Sequence, residues 1–154
     1  MRLKELGFTM LEMVIAIGIL VIMSGLGAGY YAGTFRSISL DSTKKTIIED
    51  LRTAQGNAMQ GEFAMKWGVR FSNGASQSYE LFRTPVDYAD PGRITLQTSY
   101  LQSGLIFTDP ATSNTKDIIF NRTTGQTSAS SVTFESSTSG SSATVNVTSE
   151  GIID

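Results

Sequence analysis

Neither cysteine nor histidine occurs among the 154 residues, and the chain has only three prolines, the first at Pro85. Each shortage removes a class of chemistry. Without cysteine there is no disulfide, thiolate nucleophile or thiolate metal ligand. Without histidine the commonest general base and metal ligand is missing, so neither a Ser-His-Asp triad nor a histidine-rich zinc site can form. Without proline ahead of residue 85, nothing from Phe8 to Gly61 forbids one long helix. Charge is also scarce in one place. From Phe8 to Phe35 the sole charged side chain is Glu12, and Met13 to Met23 is an unbroken run of apolar residues and glycine.

What is present begins with that run. A helix over Met13 to Phe35 covers roughly 34 Å at about 1.5 Å per residue, enough for a hydrocarbon core of about 30 Å. The segment ahead of it, Met1 to Gly7, carries Arg2 and Lys4, which the positive-inside rule keeps on the cytoplasmic side, leaving the large C-terminal part outside. Glu12 is the anomaly. An acid at full depth is disfavoured by roughly 2.5 to 3.5 kcal/mol, so Glu12 is expected to have a partner and a task. A cleaved secretory signal fits poorly, because its apolar core runs about 7 to 15 residues and ends at small residues. An ordinary signal anchor explains the length of the run but not its acid.

Glycines cluster at 25, 27, 29 and 33. Gly25, Gly29 and Gly33 repeat every four residues, a small-residue face that permits close helix approach in membranes. The same glycines each weaken a helix by about 1 kcal/mol relative to alanine, which allows bending or unwinding. Both readings stand at this level. Tyr30 and Tyr31 fall at the outer end of the span, where an interfacial aromatic belt places them. After Arg36, Ile47, Leu51, Ala54 and Ala58 form one apolar stripe with Lys44, Lys45, Glu49, Asp50 and Arg52 mainly off it, the pattern of an amphipathic helix ending near Gly61.

The period then changes from helical to two. Met65 to Ser72 alternates apolar with polar or small residues, as a half-buried antiparallel strand requires, and Asn73-Gly74 follows as a turn signal. Further strands are predicted at Ser78–Arg83, Ile94–Leu101, Leu105–Thr108, Asp117–Asn121, Ser131–Glu135 and Ala143–Thr148, between turns at Pro91-Gly92, Asp109-Pro110, Thr124-Gly125 and Ser139-Gly140. Trp67, Phe71, Tyr79, Phe82, Phe107, Phe120 and Phe134 occupy strand positions and are expected in the core rather than on a ligand platform. Sixteen of the twenty-nine residues from Asn121 to Ser149 are serine or threonine. Since Val132, Phe134, Val145 and Val147 keep the two-residue alternation, this stretch reads as strands with polar loops, and Ser136–Ser142 as the disordered connection.

The segment Gly7-Phe8-Thr9-Met10-Leu11-Glu12, followed by Met13-Val14-Ile15-Ala16-Ile17-Gly18-Ile19-Leu20, resembles the N-terminal signature of type IV pilins and type II secretion pseudopilins. The resemblance implies that a prepilin peptidase cuts after Gly7 and that the new terminal residue, Phe8, is N-methylated. It also implies that Glu12 pairs with the terminal amine of a neighbouring subunit as that subunit joins a filament. Physical chemistry agrees: a buried carboxylate is tolerated when paired, and an amine four residues upstream in a staggered neighbour lies at matching depth. A slip of one turn would leave two unpaired ions, so the pair selects one axial offset.

More loosely, the C-terminal part resembles the minor pseudopilins of the GspH and FimT type. The likeness lies in Asp50-Leu51-Arg52-Thr53-Ala54-Gln55-Gly56-Asn57-Ala58, Trp67-Gly68-Val69-Arg70-Phe71, Tyr79-Glu80-Leu81-Phe82, Ile118-Ile119-Phe120-Asn121 and Val145-Asn146-Val147-Thr148-Ser149-Glu150-Gly151-Ile152-Ile153. The absence of cysteine departs from the many major pilins that close a loop with a disulfide, and so favours the minor pseudopilins.

Removing Arg2 and Lys4 from twelve basic residues, and Glu5 from fourteen acidic ones, leaves ten and thirteen, a net side-chain charge of −3. No basic surplus points to nucleic acid. Asp87 and Asp90, near Pro85 and Pro91, are the one weak pair of calcium candidates, and solvated loop acids are the commoner case. Asn121-Arg122-Thr123 and Asn146-Val147-Thr148 match the glycosylation triplet by chance.

The expected architecture is α+β, a long N-terminal helix packed on an antiparallel β-sheet domain in the pilin-like manner. Residues 1–7 form the leader, 8–35 the transmembrane and assembly half of the helix, 36–61 its amphipathic half and 62–154 the β-rich domain. The expected role is that of a structural, non-enzymatic subunit of a type II secretion pseudopilus, without cofactor, in the bacterial inner membrane with its domain outside. Its partners would be other pilin or pseudopilin subunits, the prepilin peptidase and an inner-membrane assembly platform. A type IV pilin serving adhesion, twitching or DNA uptake is the nearest alternative. A signal-anchored binding module that never polymerises is the next, and a membrane-anchored enzyme ranks last.

Overall fold

The computed structural model describes residues 8–154, apart from the side chains of residues 26–36. The chain divides into two units, the first ending at Ser37 and the second spanning Ile38–Asp154. Helix α1 (Met10–Gln60) contributes to both and is continuous through Gly25, Gly27, Gly29 and Gly33.

Within the second unit, α1 presents Leu40, Thr43, Ile47, Leu51, Ala54 and Ala58 at spacings of three or four, and all six are buried. Three and four residues bring side chains to one face of a helix, so this stripe is the helical contribution to the core. A short 3₁₀ turn (Glu62–Ala64) follows. Seven strands then alternate apolar and polar residues: β1 (Lys66–Asn73), β2 (Gln77–Thr84), β3 (Ile94–Tyr100), β4 (Leu105–Asp109), β5 (Thr115–Phe120), β6 (Ser130–Ser136) and β7 (Ser142–Val147). All seven strands read from the alternation are present. They form two antiparallel sheets, one ordered β3-β2-β1-β5 and the other β4-β6-β7.

Register explains the burial pattern. Pairing Phe71 with Tyr79, Val69 with Leu81 and with Ile118, and Trp67 with Phe120 puts these residues on one face of the first sheet. Trp67, Val69, Phe71, Tyr79, Ile118 and Phe120 join Phe107, Val132, Phe134, Val145 and Val147 of the second sheet and the α1 stripe in one core. Phe71 stacks on Tyr79 and meets Phe107 edge-on, both at 5.9 Å between ring centres. Trp67, Phe71, Tyr79, Phe82, Phe107, Phe120 and Phe134 are all buried, as their positions suggested, whereas Tyr100 at the end of β3 is exposed. The α+β architecture is thus as expected.

Two local readings change. Ser136–Ser142 is a hydrogen-bonded hairpin turn rather than a disordered connection: Ser136 N donates to Ser141 O (2.9 Å) and Gly140 N to Ser136 O (3.1 Å). Gly140 supplies the left-handed residue that such a turn needs, at φ +66°. Asn73 is more than a turn signal. Its buried side chain donates to the carbonyls of Phe107 (2.8 Å) and Pro110 (2.7 Å) and accepts from Gln77 Nε2 (2.9 Å), while Gln77 Oε1 accepts from Phe107 N (2.8 Å). The two sheets are stitched there through side-chain amides.

Asp50, on the domain part of α1, is half-buried beside Tyr79. Burial raises its carboxyl above the ordinary 3.8, the nearby Glu49 adds to the rise, and hydrogen bonding with Tyr79 opposes it. A carboxyl with a higher pKa folded than unfolded binds its proton more tightly in the fold. Its ionised form therefore costs stability at neutral pH, and protonation on acidification through the raised pKa removes the cost. Asp50→Asn, which keeps an acceptor for Tyr79, is expected to melt above the parent at pH 7, with the gap closing as pH falls through that range. Thermal melts followed by circular dichroism across a pH series test this, and a gap that does not vary with pH refutes it.

Candidate assembly surface

The N-terminal unit presents a polar knot at the head of an apolar helix. Thr9 precedes the first helical residue, Met10, and Glu12 lies in the first turn. Glu12 Oε2 accepts from both the Thr9 amide and the Thr9 hydroxyl at 3.2 Å, and Thr9 Oγ1 accepts from the Glu12 amide at 3.3 Å. This is a reciprocal capping box, which satisfies two amides that a helix start otherwise leaves open. Thr9 was not singled out from the sequence, although the Thr-x-x-Glu spacing is the signal that reveals it. The Glu12 carboxylate thus holds the helix start of its own chain, and it is exposed.

Beyond it the helix is apolar all round. Every residue from Phe8 to Gly25 is exposed, and Phe8 (82%), Met10 (86%), Leu20 (63%) and Met23 (66%) show how completely. An exposed apolar surface of this extent marks a site covered by lipid or by other protein. Among the described residues no helix is long and apolar enough to cross a membrane. Among the described residues nothing approaches a side chain built on Gly25 within 4 Å. The readings placed on Gly29, Gly33, Tyr30 and Tyr31 concern surroundings outside the described side chains, and Gly7 lies outside the described residues.

The second unit holds its own helix segment through backbone carbonyls and one amide brought from far along the chain. Gln55 Nε2 donates to Gly151 O (2.8 Å) and Gly125 O (3.2 Å), Arg52 Nη2 to Ile153 O (3.4 Å), and Thr123 N to Ala58 O (2.9 Å). Two of the family-like segments, Asp50–Ala58 and Val145–Ile153, therefore meet at one clasp.

Asp87 and Asp90 lie in the loop between β2 and β3, and each closes its own turn. Asp87 Oδ1 accepts from Ala89 N (2.9 Å) and Asp90 Oδ1 from Gly92 N (2.7 Å). Among the described residues no group of three or more His, Cys, Asp or Glu side chains gathers where a metal ion could sit. What anchors the loop is Tyr88. Its ring lies between the guanidinium groups of Arg70 (3.6 Å) and Arg93 (3.8 Å), its hydroxyl donates to Glu80 Oε2 (2.9 Å), and the buried ring of Phe82 meets it edge-on at 4.9 Å. Arg70 also pairs with Asp117 (3.4 Å) and donates to Thr115 Oγ1 (2.6 Å). Burial raises the pKa of both Tyr88 and Asp117, Tyr88 further through its bond to Glu80, while Arg70 and Arg93 draw Asp117 back. A cation–aromatic stack of this kind contributes about 0.5 to 2 kcal/mol.

With this geometry in view, a family model described as type II transport protein GspH matches residues 45–151, from the domain half of α1 to beyond β7. The chain belongs to the GspH family. The fold of this GspH-family chain is also similar to the structure of the minor pseudopilin EpsH from the type 2 secretion system of Vibrio cholerae. The TM-score is 0.56 at 13% sequence identity, covering 75% of this chain and 94% of that one. A search of curated proteins returned no sequence match. In this GspH-family chain the matched residues include both halves of the clasp, Gln55 and Gly151, and stop well short of Phe8 and Glu12.

Proposed function

We propose that the chain is a minor pseudopilin of a type II secretion system, a structural subunit rather than an enzyme. The observation that carries this reading is the GspH family match across residues 45–151 behind an N-terminal segment, Gly7 to Leu20, with the pilin signature. In this reading residues 1–7 are the leader, residues 8–35 the membrane and assembly half, residues 36–61 the amphipathic half of the helix and residues 62–154 the domain. The prepilin peptidase cleaves after Gly7 and methylates Phe8. The subunit waits in the inner membrane with its domain outside, and the assembly platform then moves it into a filament of other pseudopilins.

The exposed apolar surface from Phe8 to Met23 supports this course, because it is matched either to lipid or to a bundle of like helices. Gly25, Gly29 and Gly33 allow close approach in that bundle. Glu12 would leave its contacts with Thr9, or share them, to meet the Phe8 amine of the adjoining subunit. The reading is tested by intact-mass and N-terminal mass spectrometry of the chain from its native membranes. The expected species begins at Phe8 and carries one added methyl group. A mature chain that retains Met1 overturns the proposal.

A further inference from the structure

Asn73 is the only asparagine of the chain that glycine follows. Such a pair has a chemistry of its own. The Gly74 amide nitrogen can give up its proton to solvent and attack the Asn73 side-chain carbon Cγ, because glycine has no side chain to crowd the approach. The Cγ–Nδ2 bond breaks, the leaving nitrogen takes a proton from water to depart as ammonia, and a five-membered succinimide closes. Water then adds to either ring carbonyl and opens the ring, which leaves aspartate or isoaspartate at position 73. The overall change is amide plus water to acid plus ammonia, so water is the sole co-reactant.

The closed fold opposes each part of this course. Asn73 is 3% exposed, which keeps water and base from it. The nitrogen that must leave, Nδ2, donates to the carbonyls of Phe107 (2.8 Å) and Pro110 (2.7 Å), and Oδ1 accepts from Gln77 Nε2 (2.9 Å), so Cγ is held away from an attack by Gly74. The main chain is fixed too, since Asn73 N donates to Asn114 O (3.0 Å) and Ser113 N to Asn73 O (2.7 Å). Gln77 belongs to β2, Phe107 to β4, and Pro110, Ser113 and Asn114 to the segment between β4 and β5. Protection therefore comes from tertiary contacts and ends when the domain opens.

The product cannot take the place of the amide. A carboxylate only accepts hydrogen bonds, and here it would face two carbonyl oxygens in a buried site, leaving acceptors without donors. Isoaspartate also adds a methylene to the main chain where Asn73 pairs with Gln77 to close the β1–β2 turn.

We propose that Asn73-Gly74 is a self-modification site gated by the fold. It is inert while the two sheets stay clamped, deamidates when they part, and then prevents the clamp from forming again. A modified domain thus carries a one-way record of having opened. The inference uses neither Phe8 nor Glu12 and is independent of the proposed role in secretion.

Gly74→Ala supplies the control. A Cβ there would meet nothing nearer than Ser72 Oγ at 3.8 Å, and the position does not require a left-handed φ, so the fold is retained while the methyl group slows the attack. The full chain in detergent is incubated at mildly alkaline pH, in buffer and in urea above the unfolding midpoint. The peptide that holds residue 73 is then followed by chromatography with mass spectrometry, which separates the asparagine, aspartate and isoaspartate forms. Modification of the parent is expected to be at least about a hundredfold faster in urea, since native domains stand open only about 10⁻³ to 10⁻⁶ of the time. Gln77→Ala releases both Asn73 Oδ1 and Phe107 N, and with its fold checked by circular dichroism it is expected to deamidate in buffer about tenfold faster than the parent. Should Gln77→Ala unfold, the parent in urea below its midpoint takes its place, with a rate expected to rise with the open fraction. After urea is removed, only the unmodified part of the parent is expected to regain the native spectrum, whereas Gly74→Ala treated alike regains it. Equal parent rates in buffer and urea, a rate unmoved by Gln77→Ala or by partial opening, full recovery of modified chains, or the same loss of recovery in Gly74→Ala each overturns the proposal.

Discussion

Glu12→Ala is expected to leave cleavage after Gly7 intact and to reduce recovery of the chain in sheared filaments by at least about tenfold. Two losses combine in that variant. The carboxylate that accepts from the Thr9 amide and hydroxyl disappears, which frays the helix start and removes a cap contact of about 0.5 to 2 kcal/mol. On the proposed reading, the Phe8 amine of an adjoining subunit also loses its counter-ion. Removing one partner of a buried ion pair costs about 3 to 5 kcal/mol, which at about 1.4 kcal/mol per tenfold step is the larger effect.

Glu12→Gln separates the two. Glutamine serves in a capping box as glutamate does but carries no charge. If pairing is what matters, Glu12→Gln fails to incorporate as Glu12→Ala does. If it assembles normally, Glu12 acts through the helix start alone. Immunoblots of the sheared and membrane fractions, with mass spectrometry of the processed terminus, read both variants.

Gly151→Ala is expected to destabilise the domain by about 3 kcal/mol or more, lowering the melting temperature by about 10 °C or more. Gly151 has φ +87°, a conformation that side chains disfavour, at roughly 1 to 2 kcal/mol. An added Cβ would stand 2.5 Å from the Gly125 carbonyl oxygen and closer still to Gln55 Nε2. Gln55 would have to withdraw, and its bonds to Gly151 O and Gly125 O would go with it. Each is worth about 0.5 to 1.5 kcal/mol, and crowding in a packed site adds about 1 to 3 kcal/mol. Against a domain stability of about 5 to 15 kcal/mol this is a large loss, measured by urea unfolding of the full chain in detergent. A midpoint within experimental scatter of the parent would show that the C-terminal segment moves aside freely.

Much of this protein is legible without coordinates, and for a definite reason. Helical spacing in Ile47, Leu51, Ala54 and Ala58, and alternation in Trp67, Val69 and Phe71, report on neighbours within one turn or one pleat, where chain geometry alone decides which side chains share a face. The aromatics of the strands could be placed in the core because burying them is the main gain from forming a half-apolar strand. The Thr9–Glu12 cap was equally local and could have been read from its spacing. Gly7 and Phe8 drew their meaning from resemblance, since the proposed cleavage and methylation would be acts of another protein.

What the amino-acid sequence determined by itself, then, is the ordering of elements, the faces they bury and the classes of chemistry ruled out by missing histidine and cysteine. Tertiary structure alone decided how those elements combine: the strand orders β3-β2-β1-β5 and β4-β6-β7, and the second role of Asn73, which opens the β1–β2 turn, as a clamp between sheets. It also set the Tyr88 ring of the Asp87–Asp90 loop against Arg70 and Arg93, and joined Gln55 to a glycine 96 residues away. β3 is the clearest case. Its residues read in sequence like any other strand, and only the pairing of the other strands leaves it at the end of its sheet, with a bulge at Leu96. Such contacts depend on which loops close and in what register, and no local pattern carries that information.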